Sequence, residues 1–113
     1  MGRIIQSDAN GARYFEAKSD NNETVGFAVS SIDSNGKLSL DSIHVIPGIR
    51  KNGVGSILLD AVISWGISEG ANELVGEFFP EFRGGKDEED ARKFYAKNGI
   101  NIDGENNLRG RIR

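Results

Sequence analysis

Between Gly48 and Gly55 the chain sets three glycines and two basic residues at the mouth of an apolar run, PGIRKNGVGSILLDAV, residues 47–62. A strand that feeds a helix through such a turn leaves backbone N–H groups at the helix start without internal partners. The aligned peptide dipoles add positive charge there, so the turn is a candidate anion site. Glycine lets the main chain approach a phosphate closely. Arg50 and Lys51 place two cations beside it, although both also suit an ordinary solvated turn. Two phosphate motifs do not fit. A P-loop needs Lys-Ser/Thr after its second glycine, whereas Val54 follows Gly53. A dinucleotide fingerprint needs Gly-x-Gly-x-x-Gly, which the chain lacks. What is present is Arg50-x-x-Gly53-x-Gly55, preceded by Val45-x-Pro47.

Groups able to move protons are few. Cysteine is absent and histidine occurs once, which excludes a thiolate nucleophile, a disulfide framework and a histidine-rich metal site. Tyr95 offers a phenol with an ordinary pKa near ~10. Asp41, Glu77 and His44 are the candidate bases, and a water chain could serve instead of any of them. His44, with an ordinary pKa near ~6.5, also suits plain packing on a strand, and Asp41 and Glu77 also suit solvent-facing positions.

These residues need elements to hold them. Arg13–Lys18, Thr24–Ile32 and Lys37–Ile46 read as three consecutive strands. SDNN and DSNG form the turns between them, the second with an Asn-Gly hairpin signal. Gly2–Gln6 adds a short strand before them. In the third strand, Leu38 and Leu40 share one face while Ile43 and Val45 have the opposite parity. A bulge near Asp41–Ser42 restores a single apolar face, whereas a central strand buried on both sides would need none. Gly53–Gly70 is the clearest helix, with Val54, Ile57, Leu58, Ala61, Val62 and Trp65 on its predicted buried face. Glu73–Phe79 is a fourth strand and Asp87–Lys97 a second helix, with Ala91, Phe94 and Tyr95 inward. Ile100–Ile102 and Asn107–Ile112 complete the reading as short strands. A right-handed strand–helix–strand crossover makes the third and fourth strands parallel. The fold class is therefore a mixed α/β sheet, an antiparallel meander followed by β-α-β-α-β.

The glycine turn resembles the pyrophosphate-binding motif of the GNAT superfamily of acyl-CoA-dependent N-acetyltransferases. VIPGIRKNGVG stands where that family commonly has V-x-P-x-Y-R-x-x-G-x-G, and FYAKNGI (94–100) resembles its F-Y-x-x-x-G-F segment. The resemblance covers roughly residues 37–102 and implies a cofactor pose. The CoA pyrophosphate would sit on backbone N–H groups of Ile49, Arg50, Lys51, Asn52, Gly53, Val54, Gly55 and Ser56. The pantetheine arm would lie in a splay between the third and fourth strands, along Ile43, His44 and Val45. The implied reaction is direct attack of an amine on an acetyl or short acyl thioester, without a metal. Tyr95 matches the family's frequent general acid, and a backbone N–H near Val45 is the implied oxyanion donor. A non-catalytic acyl-CoA-binding or protein-interaction module on the same fold is the alternative.

The remaining expectations concern size and surroundings. The 113 residues suit one domain, 1–113, and a net charge of −3 argues against nucleic-acid binding. No apolar run approaches the ~18 residues of a membrane span, and MGRIIQSDAN is too short in apolar residues for a signal peptide, so a cytoplasmic location is expected. Only about a dozen residues precede RYFEAK. The helices that wall the acceptor site in the family are then not expected, and that side should be open, or closed by a second subunit as a homodimer or by another protein. The acceptor would be a small-molecule or protein amine. The acidic run Asp87–Asp90 suits a helix N-terminus or the recruitment of a cationic amine. Phe78, Phe79 and Phe82 suit core packing or an apolar acceptor border. Glu88 stands where many family members have a cofactor-contacting Asn.

Overall fold

Two Asn-Gly pairs fold in different ways and fix the first half of the sheet. At Asn10-Gly11 both residues have positive φ, 53° and 79°. That is the type I′ geometry whose twist suits a two-residue hairpin. It pairs Ala9 with Ala12 and extends β1 (Arg3–Ala9) along the whole of β2 (Ala12–Lys18). The first strand is thus longer than the expected Gly2–Gln6. At Asn35-Gly36 only the glycine is left-handed, φ 76°. There Asp33 organises the turn by accepting from the N–H groups of Asn35 and Lys37, each at 2.9 Å. Asp103 repeats this device, accepting from Glu105 and Asn107. These backbone donors hold its carboxyl below the usual carboxylate range.

The computed structural model describes residues 2–46, 53–78 and 86–112, with the side chains of 86–88 outside the description. After β1 and β2 come β3 (Thr24–Ile32), β4 (Leu38–Val45), α1 (Val54–Ser68), β5 (Glu73–Glu77), α2 (Lys86–Lys97), β6 (Asn101–Ile102) and β7 (Asn107–Arg111). They form one seven-stranded sheet in the order β1-β2-β3-β4-β5-β7-β6. The third and fourth strands of the sequence reading are β4 and β5, and they pair in parallel as expected.

Both crossovers, β4 to β5 and β5 to β6, step the same way across the sheet. Right-handed connections then put α1 and α2 on one face. The core lies under them: Leu38, Leu40, Leu58, Leu59, Val62 and Leu74 are at most 4% exposed. Gly66 lets α1 settle onto the sheet, since a Cβ there would stand 2.6 Å from Leu38 Cδ2. The buried stripe runs Val54, Leu58, Leu59, Val62, Gly66. It corrects the predicted face, because Ile57, about 100° around the helix from Leu58, is 39% exposed. Gly70 ends α1 with φ 90°, and Ala71 N–H donates to Gly66 O at 2.9 Å, a Schellman closure. Gly99 closes α2 in the same way, through Ile100 N–H to Tyr95 O.

Candidate functional site

The parity change in β4 is a bulge. Val29 pairs with Ser42 and Ser30 with Leu40, so Asp41 is the residue without a cross-strand partner. The shift returns Ile43 and Val45 to the helix-covered face, where both pack against the core.

The bulge also marks where the sheet opens. β4 and β5 pair only at Leu38↔Leu74, Ser39↔Val75 and Leu40↔Gly76. Beyond that each strand is held by its other neighbour. β4 stays on β3 as far as Ile46, whose N–H donates to Val25 O at 3.0 Å, and Phe78 N–H donates to Asn106 O at 2.7 Å, drawing β5 toward β7. Alternation along an antiparallel ladder, with Ile46 N–H turned to β3, turns the main-chain groups of Ile43 and Val45 toward the gap. Val45 already has an interaction of its own, so the expected oxyanion donor is not assigned to it.

On the helix-covered side, α1 begins at Gly53, left-handed at φ 79°. Its N-cap residue, Gly53, has no side chain to cap it, and the first turn holds no acidic residue. The first helical hydrogen bond runs from Ile57 N–H to Gly53 O at 3.1 Å, so the N–H groups of Val54, Gly55 and Ser56 point out of the helix end. Gly55 carries the second half of the arrangement. A Cβ there would stand 3.3 Å from the Phe94 ring and 3.7 Å from Val45 Cγ2. The glycine motif and the Phe94-Tyr95 segment therefore meet in space, which no spacing rule had shown.

Tyr95 sits beside them. Its ring makes edge contacts with Phe78 (centroids 6.0 Å) and Phe94 (5.2 Å). Burial pushes the phenol up to about 12. Among the described residues no buried side-chain polar atom lacks a partner. Phe78 is buried under the Arg92 guanidinium, 5.0 Å from the ring centroid. It belongs to the packing rather than to an acceptor border.

On the other face, the mouth of the gap is a cleft of about 390 Å³ whose lining includes Ser39, Asp41, Val75, Glu77 and Asn107. Asp41 accepts from Ser31 Oγ and Ser39 Oγ, both at 2.8 Å. Glu77 is exposed on the opposite wall. His44 lies on this face too, exposed and tilted against Phe27 with centroids 5.6 Å apart. Sequence reasoning missed Ser31, Ser39 and Asn107. The serines were legible only once the DSNG hairpin was known to pair Ser31 with Ser39. Ile49, Arg50, Lys51 and Asn52 lie outside the described residues, as do Phe79, Phe82 and the side chains of Asp87 and Glu88. Among the described residues no helix is long and apolar enough to cross a membrane.

Comparison with known proteins matches this geometry. An aminoglycoside N(6')-acetyltransferase type 1 of Salmonella typhimurium is 35% identical over 65 residues, covering 50% of this chain and 45% of that protein. The chain thus spans about half the length of the curated relatives it matches. A nourseothricin acetyltransferase structure superposes with TM-score 0.75 at 22% identity, over 92% of this chain and 67% of that one. An aminoglycoside 6'-N-acetyltransferase complexed with coenzyme A superposes with TM-score 0.73 at 17% identity, over 92% and 74%. At these identities the structures establish a shared fold. The model of the Acetyltransferase (GNAT) family matches residues 3–100, and the chain belongs to that family.

Proposed function

We propose that the chain transfers an acetyl group from acetyl-CoA to a primary amine of a small polycationic molecule, such as an aminoglycoside. The observation that carries this reading is the gap between β4 and β5. An uncapped helix end and a buried tyrosine flank it on one face, and carboxylates flank it on the other. The described residues fit the cofactor. The N–H groups of Val54, Gly55 and Ser56 at the start of α1 suit an anion, and the missing Cβ of Gly55 leaves Phe94 in contact with the main chain. The outward-facing main chain of Ile43 suits an extended amide arm laid along β4. Ile49, Arg50, Lys51 and Asn52 complete the anion site in this proposal.

Bound acetyl-CoA supplies an acyl carbon activated as a thioester. The chain's residues do the rest. An ammonium acceptor first releases one proton to solvent; after attack its nitrogen loses a second, and the departing thiolate gains one. Tyr95, pushed up to about 12, keeps its proton throughout the neutral range, so it is a donor and not a base. A thiol has an ordinary pKa near ~8.5, so outright transfer from Tyr95 to sulfur is uphill. Tyr95 therefore donates a hydrogen bond to the sulfur, and net delivery is coupled to the proton leaving nitrogen. On the acceptor side, Asp41 and Glu77 face an incoming ammonium group and attract it. The aminoglycoside acetyltransferase relative supports this acceptor class.

Thiol release from acetyl-CoA over a panel of kanamycin A, nourseothricin, spermidine and glucosamine tests the reading. It predicts turnover with at least one polycationic amine. CoA binding without turnover of any amine leaves an acyl-CoA-binding module instead.

A further inference from the structure

We propose that Ser31 and Ser39 are positioning residues that hold Asp41 to receive the acceptor amine, and that Asp41 rather than Glu77 aligns that amine at the gap; this rests on the acetyltransferase reading. Asp41 is the extra residue of the β4 bulge. A bulged residue is freed from the ladder, so the pleat alone does not set the direction of its side chain. Here two hydroxyls set it. Ser31 Oγ donates to Oδ2 and Ser39 Oγ to Oδ1, each at 2.8 Å. The two serines are direct cross-strand partners, so they fix the carboxylate from two adjacent strands at once. Both are half-buried, while Asp41 is exposed and lines the cleft. The last β4–β5 pair, Leu40↔Gly76, is one residue away, which puts the carboxylate where the strands part.

A carboxylate has about four lone-pair sites, and two hydroxyls leave others for an amine N–H. Glu77, on the facing wall, makes no hydrogen bond or ion pair among the described residues and rests on a longer side chain. A group that aligns a nucleophile works best when its orientation is already set by a second layer of hydrogen bonds. Asp41 has that layer and Glu77 does not. Tightening the hairpin is the plainer role for two serines near a turn. The two roles differ in what they move.

The test is steady-state kinetics with the amine varied at saturating acetyl-CoA, using an amine turned over in the panel above. The Ser31→Ala/Ser39→Ala double variant is expected to lose about tenfold in kcat/KM for the amine, carried by KM. Its KM for acetyl-CoA and its Tm should stay close to wild type, and Thr at both positions should restore activity by returning the hydroxyls. Asp41→Asn is expected to cost more than Glu77→Gln. In the Asp41→Asn background, removing the serines should add nothing, because they act through that carboxylate. Wild-type kcat/KM in the double serine variant, a larger loss in Glu77→Gln than in Asp41→Asn, or an undiminished serine effect without Asp41 overturns the inference. An absence of turnover with every amine overturns the acetyltransferase reading, and this inference falls with it.

Discussion

The two faces of the gap between β4 and β5 are built from different materials. The helix-covered face is made of backbone and rings: Gly53 in a left-handed turn, the bare Cα of Gly55 against Phe94, and Tyr95 wedged between Phe94 and Phe78. The open face is made of polar side chains: Asp41 under two serines, with Glu77 and Asn107 across the cleft. The difference fits the two partners of the proposed reaction. A cofactor that stays the same is well served by main-chain donors, which change little with side-chain identity. An acceptor is chosen by side chains, which are easily exchanged without disturbing the strands beneath them. In the proposed reaction the tetrahedral intermediate forms where the two meet.

That contrast can be broken at several points. Tyr95→Phe should reduce kcat by about 10²-fold if the phenol serves the leaving sulfur, with CoA affinity intact; single-turnover rates at saturating acetyl-CoA check it. Wild-type kcat would reduce Tyr95 to packing. Gly55→Val should force the Phe94 ring away from α1. CoA affinity should fall at least about tenfold and stability by about 1–3 kcal/mol from overpacking, as read by calorimetric titration and thermal denaturation.

The buried phenol predicts a pH effect with a definite sign. Its folded-state value of about 12 lies above the ordinary 10.0. The folded state therefore holds that proton more tightly than the unfolded chain does. The corresponding stability is fully present below about pH 10 and is lost as pH rises toward 12, by up to about 2–3 kcal/mol. Denaturation midpoints between pH 9 and 11.5 should fall more steeply for the wild type than for Tyr95→Phe; parallel curves would contradict the burial argument. The smallest effect is expected at the turn itself. Gly53→Ala places a Cβ on a left-handed residue, at a cost of about 1 kcal/mol or about 4 °C in Tm. A differential scan resolves that shift.

The same contrast explains what could be read in advance. The glycine turn, the presence of α1 and the Phe94-Tyr95 segment are read from contiguous stretches, so the elements on the proposed cofactor side were legible. The bulge at Asp41 was legible only in part: the change of parity along β4 pointed to it, but a central strand buried on both sides would give the same pattern. The open face was less so. Its cleft draws Ser39 and Asp41 from β4, Glu77 from β5 and Asn107 from β7, and no spacing along the chain foretells that strand order. The misplacement of Ile57 has a local cause: apolar residues lie nearly all around α1, so the pattern did not fix which way the helix is turned, whereas Gly66 on Leu38 does. The length of β1 was hidden because Asn10-Gly11 is a hairpin turn between strands that carry little apolar alternation.

The central claim is that this gap holds an acyl-CoA through the uncapped start of α1. Thermal denaturation with increasing acetyl-CoA tests it most directly, comparing the wild type with Gly55→Val. Binding to the folded state alone should stabilise the wild type by about 2.7 kcal/mol at a hundred times Kd, and the variant should need a much higher concentration for the same shift. An unchanged wild-type Tm at millimolar acetyl-CoA, or an equal shift in the variant, would contradict the account.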